Sequence, residues 1–132
     1  MSLSAIATAV SGMNAAARRL EVSASNVANA RTTGTVPDAN GATTAYRPQD
    51  VRQQAVAGGG VTTTVTTRPN GVGLAYDPTS PDADARGMVG APEVDYAGEA
   101  ITQLTAKLDY EAALKVVKVA DEMMKSTLDL TA

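Results

Sequence analysis

The chain has 132 residues, 11 Lys and Arg against 14 Asp and Glu for a net charge of −3, 4 Tyr, and no Cys, His, Phe or Trp. Without a Lys/Arg stripe it has no means of neutralising phosphates, which argues against nucleic acid as a partner; without Cys or His it lacks thiolates, disulfides and the commonest general base and metal ligand. Alanine supplies much of the apolar content and buries little area per side chain, so stability must come from close helix packing, within the chain or against other chains.

The first thirty residues carry the strongest pattern. Leu3, Ile6, Val10, Met13, Ala17, Leu20, Ala24 and Val27 alternate spacings of three and four without a slip, which keeps one face of a helix turned toward a partner. Over residues 1–30 such a helix is about 40 Å long. No charged side chain precedes Arg18, and the face opposite the seam holds Ser, Thr, Ala and Asn. That composition suits neither hydrocarbon nor open solvent, and the helix is expected to be surrounded by protein. No stretch approaches the apolar length of a membrane span, and residues 1–17 lack the charged n-region and long apolar h-region of a secretory signal. Export, if it occurs, is expected by another route.

Two readings fit the end of this helix. Ala24-Ser25-Asn26-Val27-Ala28-Asn29-Ala30, followed by Thr32-Thr33-Gly34, reads as a C-terminus closed by Asn and Gly. Alternatively Asn26 and Asn29, on adjacent turns of one face, set the axial register of a helix-helix contact.

Residues 31–94 form a middle segment of different character. Residues 31–45 hold one large aliphatic side chain, Val36, and read as an exposed loop. Tyr46 to Val56 suits an extended strand, Ala57-Gly58-Gly59-Gly60 a turn, and the β-branched run Val61 to Thr67 a second strand; together they predict a hairpin or ribbon. Pro69-Asn70-Gly71 predicts a turn and Val72 to Tyr76 a third short strand. The Gly58 to Gly60 run precedes no Gly-Lys-Ser/Thr and opens no helix, so it is a turn and not a phosphate cradle. Asp82, Asp84, Gly87 and Glu93 fall at positions 1, 3, 6 and 12 of a calcium loop. Arg86 then puts a cation inside the cage and Pro78 and Pro81 bar the preceding helix, so the expectation is a capped extended loop without metal. A hydrolase built on Asp82, Asp84 or Glu93 lacks any accompanying His, Cys or nucleophile elbow.

From Asp95, a suitable N-cap, helical periodicity returns over residues 95–132. Ile101, Leu104, Leu108, Ala112, Val116, Val119, Met123 and Leu130 make an apolar stripe, with Glu111-Lys115, Lys118-Glu122 and Asp121-Lys125 as expected ion pairs on the polar side. The fold class is therefore mainly α: two long terminal helices in a coiled-coil-like antiparallel pair, with a small β-rich or irregular middle.

Several of these stretches resemble one family. Ala24 to Ala30 is similar to the A-S-N-L-A-N-A signature of bacterial flagellar rod, hook and related axial proteins, with Val27 in place of Leu. Pro37-Asp38-Ala39-Asn40-Gly41, Tyr46-Arg47, Tyr76-Asp77-Pro78, Pro81-Asp82-Ala83-Asp84, Gly87-Met88-Val89 and Pro92-Glu93-Val94-Asp95 resemble elements of its proximal-rod members, Met88 and Glu93 departing from them. Tyr110-Glu111-Ala112-Ala113 is similar to the family's Y-x-A-N, with Ala113 where Asn is usual, and Lys118 to Leu130 to its closing K-x-M-M and L-x-L. The resemblance implies a structural subunit of the proximal rod in the periplasm, with no enzymatic activity, cofactor or metal, exported by the flagellar type III apparatus without a cleavable signal. It implies as partners other rod subunits, copies of itself, the export apparatus and an adaptor between membrane ring and rod, with no nucleic acid and no membrane insertion. The expected assembly interface comprises Leu3, Ile6, Val10, Met13, Leu20, Asn26, Val27 and Asn29 in the first helix. In the second it comprises Ile101, Leu104, Leu108, Tyr110, Val116, Val119, Met123 and Leu130. The alternatives are another flagellar rod subunit or a helical adaptor outside the flagellum.

Overall fold

The computed structural model describes residues 3–129, with only the backbone of Leu3. In chain order the elements are α1 (Leu3–Asn29), β1 (Gln49–Ala55), β2 (Val61–Thr67), β3 (Val72–Tyr76), β4 (Met88–Pro92) and α2 (Tyr96–Asp129). The chain is thus mainly helical, and its two helices flank a middle of short antiparallel strands. Asp95 caps α2 through the Ala97 N–H, 3.1 Å from Oδ1, and Glu99 places an acid at the positive end of the helix dipole. Among the described residues no helix is long and apolar enough to cross a membrane.

The helices pack antiparallel. Gly12 faces Ala113, Arg19 pairs with Asp109 and Ser23 reaches Glu99, so partner numbers fall on α2 as they rise on α1. What joins the helices is small. Ala9 and Ala16 on α1, and Ala106 and Ala120 on α2, are buried, and a Cβ at Gly12 would lie 3.8 Å from that of Ala113. Short side chains let two backbones approach closely enough for dispersion contact along several turns. This corrects the expectation that the large apolar stripes make the pair. Val10 and Leu20 are 42 % and 43 % exposed, and Ile101 is 67 % exposed. At about 100° per residue the small and large faces of each helix lie roughly a third of a turn apart, and only the small face meets the other helix.

A hairpin lies along α1. β1 and β2 pair from Gln49↔Thr67 to Ala55↔Val61, as the β-branched run predicts, and Gly58, Gly59 and Gly60 turn the tip at φ 95°, 105° and 91°. The base is held by Asn26, whose side chain bonds the Gln49 backbone. At the other end Ser11 Oγ donates to the Thr8 carbonyl at 2.7 Å and accepts the Val61 N–H at 3.0 Å. The distances match: Ser11 to Asn26 spans about 22 Å of helix and Gln49 to Ala55 about 20 Å of strand. A Cβ on Gly60 would sit 2.7 Å from Ser11 Oγ, so this position needs glycine for space as well as for its φ.

The rest of the middle departs from expectation in two places. β3 pairs with β4, from Val72↔Pro92 to Tyr76↔Met88, and not with the hairpin; β4 lies in a stretch read as loop, with Pro92 at its end where a ladder donor is least needed. Residues 31–45 are the irregular, largely exposed or half-exposed loop expected, but they are fastened down. Gly34 and Gly90 exchange two backbone hydrogen bonds of 3.0 and 2.8 Å, Thr35 and Thr44 each accept the other's N–H on a hydroxyl, and Asp38 Oδ1 accepts from Asn40 and Ala42. Ala45 and Val89 are buried beneath them. Hydroxyls and a carboxylate here satisfy the backbone that a hydrophobicity pattern leaves unassigned. On α2, Lys118 and Lys125 form the ion pairs expected of them, whereas Glu111 turns to Lys107 and not to Lys115.

The close approach at Gly12 gives a graded expectation. Gly12→Ala should stabilise the chain by up to about 1 kcal/mol, because it removes a helix glycine and adds a methyl at ordinary contact distance. Gly12→Leu should cost about 1–3 kcal/mol by forcing the helices apart. Chemical denaturation of the purified chain measures both.

Candidate assembly interface

The polar centre of the molecule is Asn26, 1 % exposed on α1. Its Nδ2 donates to the Gln49 carbonyl and to Glu99 Oε1, each at 2.9 Å; its Oδ1 accepts the Gln49 N–H at 2.9 Å and the Tyr46 hydroxyl at 3.0 Å. The amide therefore uses its full hydrogen-bonding capacity, and it pairs with the Gln49 backbone as a neighbouring strand would. Ser25 Oγ lies 3.1 Å from the Tyr46 hydroxyl, and Ser23 Oγ donates to the Glu99 carbonyl at 3.1 Å. Glu99 is itself buried at 7 % exposure, with Arg68 Nη2 3.7 Å from Oε1. The same guanidinium binds Asp50 Oδ1 at 2.7 Å, and that hydrogen bond raises the Arg68 pKa against the opposing effect of burial.

α1, α2 and β1 thus meet at one carboxamide, and the residue after β2 joins them through Glu99. Of the two readings of the Asn pair, each applies to one residue: Asn29 closes the helix, its Nδ2 on the Ser25 carbonyl, while Asn26 sets the register of α1 against the hairpin and α2. A groove of about 450 Å³ opens beside this centre, between the hairpin base and the start of α2. Of its carboxylates, Glu99 is held by Asn26 and Arg68, Asp50 by Arg68 and Asp95 by the Ala97 N–H, an arrangement suited to fixing geometry.

The large apolar residues are distributed differently. Ile6, Met13 and Val27 are half-buried at the edge of the pair and Val10 and Leu20 are exposed. Ile101, Leu104, Leu108, Tyr110, Val116, Val119 and Met123 are all exposed on α2. The side chain of Leu3 and the whole of Leu130 lie outside the described residues. Sequence reasoning missed Glu99 as a buried partner, together with Ser11, Ser23, Gln49 and Arg68. The available signal was the small-residue spacing: Ala106, Ala113 and Ala120 recur every seven positions in line with Glu99, a second periodicity overshadowed by the larger side chains.

The calcium-like loop is held by its own side chains. Asp84 Oδ1 accepts the N–H groups of Arg86 and Met88 at 2.8 and 3.0 Å, and the Arg86 guanidinium sits 2.8 Å from Oδ2. The Met88 hydrogen bond first, and then Arg86, hold the Asp84 pKa below its ordinary value. Among the described residues no cluster of acidic side chains is arranged to hold a metal ion.

The family model for flagella basal body rod proteins matches residues 6–34, which is most of α1 and the bend after it. Over nearly the full length the chain is similar to flagellar basal-body rod proteins FlgC. It is 36 % identical to that of Escherichia coli over 126 residues, covering 91 % of this chain and 90 % of the relative. Identity is 33 % with the protein of Agrobacterium fabrum, over 91 % and 88 % of the two chains, and 30 % with that of Bacillus subtilis, over 91 % of each.

Two measurements probe the geometry. Asn26→Ala leaves the Gln49 backbone and the Glu99 carboxylate without their buried partner and should cost roughly 3 kcal/mol in denaturation; Asn26→Asp, which sets a carboxylate against Glu99, should cost at least as much at neutral pH. In the loop, a lowered folded-state pKa means that Asp84 contributes stability above the ordinary carboxylate range and loses it as pH falls through its own value. The Tm deficit of Asp84→Asn should therefore be present at neutral pH and shrink as the pH falls below the ordinary carboxylate range, while millimolar calcium leaves the Tm of the unaltered chain where it is.

Proposed function

This chain belongs to the FlgC family of flagellar basal-body rod proteins and is a structural rod subunit, and on that premise we propose that it polymerises through its terminal helices into the proximal part of the rod. Like the other members of its family it belongs to the basal body and assembles with further rod components. The observation that carries the polymerisation step is the division of labour on α1 and α2. Small side chains make the contact within the chain, and the large ones, among them Val10, Leu20, Ile101, Leu104 and Leu108, remain exposed. Apolar surface in continuous stripes of this length is costly in water and marks sites of association.

In the assembled state these stripes are covered by neighbouring subunits, and the pair of helices lies in the inner layer around the export channel. The uncharged first half of α1 is surrounded there by protein, consistent with the absence of any charged residue before Arg18. The subunit reaches the periplasm through the flagellar type III apparatus without a cleavable signal, meets the adaptor that joins the membrane ring to the rod, and transmits torque as one tier of a drive shaft. The register fixed at Asn26 suits that load, because the hairpin and both helices then move as one body.

Val10→Lys against Thr62→Lys tests this reading. Both side chains are exposed in the single chain, whereas Thr63, on the same strand, is half-buried, so it is the poorer control. Each lysine should change the stability of the free protein by no more than about 0.5 kcal/mol. Val10→Lys should nevertheless abolish incorporation into purified basal bodies and motility, because assembly would bury an unpaired ammonium, while Thr62→Lys assembles. Normal incorporation of the Val10→Lys chain would refute assembly through the α1 seam.

A further inference from the structure

We infer that Asn70 is a site of spontaneous backbone modification, where the side-chain amide closes onto the Gly71 nitrogen and reopens as an isoaspartyl or aspartyl residue, and that the fold protects Asn40 from the same reaction. Asn followed by Gly is the pair in which this chemistry is fastest, because glycine leaves the next nitrogen uncrowded and the backbone around it free to rotate. The chain has two such pairs, Asn40-Gly41 and Asn70-Gly71, both in turns. Asn14, Asn26 and Asn29 lie in α1 and precede alanine or valine.

The reaction needs no partner but water. The Gly71 nitrogen attacks the Asn70 side-chain carbonyl carbon and gives up its proton, and the bond from that carbon to the amide nitrogen breaks, so that ammonia leaves and a five-membered imide remains. Water then opens the ring. Addition at the side-chain carbonyl gives aspartate, and addition at the main-chain carbonyl gives isoaspartate, in which the chain runs on through the former side chain. Closure requires that the attacking N–H be released and that the bonds on either side of the Asn carbonyl turn.

Those two requirements separate the sites. At Asn40 the Gly41 N–H donates to the Asp38 carbonyl at 2.9 Å, and the N–H groups of Asn40 and Ala42 both donate to Asp38 Oδ1 at 2.8 Å. The Gly41 carbonyl accepts the Arg47 guanidinium, and its φ of 77° is fixed between these bonds. Asn40 is clamped on both sides. Asn70 is exposed, and among the described residues no hydrogen bond reaches its side chain, its N–H or the Gly71 N–H. The fold also keeps the glycine that makes the site labile, since a Cβ at position 71 would lie 3.0 Å from Pro48 Cδ and 3.2 Å from the Arg68 carbonyl oxygen.

The position gives the change a structural effect. Residues 68–71 join the β1–β2 hairpin to the β3–β4 sheet, and both ends of the joint are pinned: the Arg68 N–H donates to the Pro48 carbonyl and the Glu93 N–H to the Gly71 carbonyl, each at 2.8 Å. Isoaspartate lengthens this joint by one carbon. One of the two bonds must yield to accommodate it.

The test follows the purified, folded chain at mildly alkaline pH, with peptide mass spectrometry that resolves isoaspartate from aspartate and with methylation by an isoaspartyl methyltransferase as a second readout. Asn70 should convert roughly tenfold or more faster than Asn40, because Asn40 reacts only after its turn opens. In denaturant the two sites should convert at similar rates. Asn70→Ser should remove most of the methyltransferase signal from the folded chain, and Asp38→Ala should speed Asn40 toward the rate of Asn70. Equal rates at the two sites in the folded chain, or an Asn70 that stays intact there while the denatured chain converts, would overturn the assignment of Asn70 as the labile site. An Asn40 that reacts as slowly in denaturant as in the folded chain would overturn its protection by the fold.

Discussion

The Asn26 carboxamide is the interaction on which the rest of the molecule depends. It completes its hydrogen bonds with the Gln49 backbone, the Tyr46 hydroxyl and the Glu99 carboxylate, and so ties the hairpin and α2 to one turn of α1. A two-stranded ribbon by itself is marginal in water. Clasped at its base by Asn26 and near its tip by Ser11, it acquires the whole length of α1 as support. Because a buried amide missing one partner costs about as much as several ordinary contacts contribute, the centre also discriminates: a shift of α1 by one residue would turn Asn26 off the Gln49 backbone and leave Glu99 buried without its donor.

Around that centre, the two helices separate internal packing from external packing by side-chain size. Alanine and glycine give little transfer free energy but allow close approach, so the intrachain pair is tight and modest in strength. Most of the large aliphatic side chains that would make a larger private core, among them Val10, Leu20, Ile101, Leu104 and Leu108, are turned outward. For an isolated protein this is a poor use of apolar residues. For a rod subunit it places the larger driving force on the surface open to other rod components, and leaves the single chain folded by interactions that do not compete with it.

The middle of the chain is ordered by different means. Between Gly34 and Val94 few large side chains are buried, and the backbone is instead satisfied by the Gly34 and Gly90 exchange, the reciprocal Thr35 and Thr44 bonds, and the carboxylates of Asp38 and Asp84 capping their own turns. Local hydrogen bonds of this kind hold shape without needing a core. In the acidic loop with the spacing of a calcium site, Arg86 and two backbone N–H groups already occupy Asp84.

By itself the sequence determined both terminal helices, the Asp95 cap, the hairpin with its glycine turn, the family and hence the structural role, because these rest on local periodicity, turn chemistry and short motifs read along the chain. It also marked the large apolar stripes, since unbroken three- and four-residue spacing shows in a linear string. Tertiary structure alone decided which face of each helix meets the other. Two periodicities coexist on α1 and on α2, and composition favours the bulkier one, whereas chain connectivity and the Asn26, Ser23 and Glu99 contacts select the small one. It likewise decided that β3 pairs with β4 and that Glu99 is buried, since strand partners and the burial of a first-turn acid depend on residues distant in sequence. An amide near a helix end reads locally as a terminus; only when β1 is brought against it does Asn26 become the point through which the fold is held.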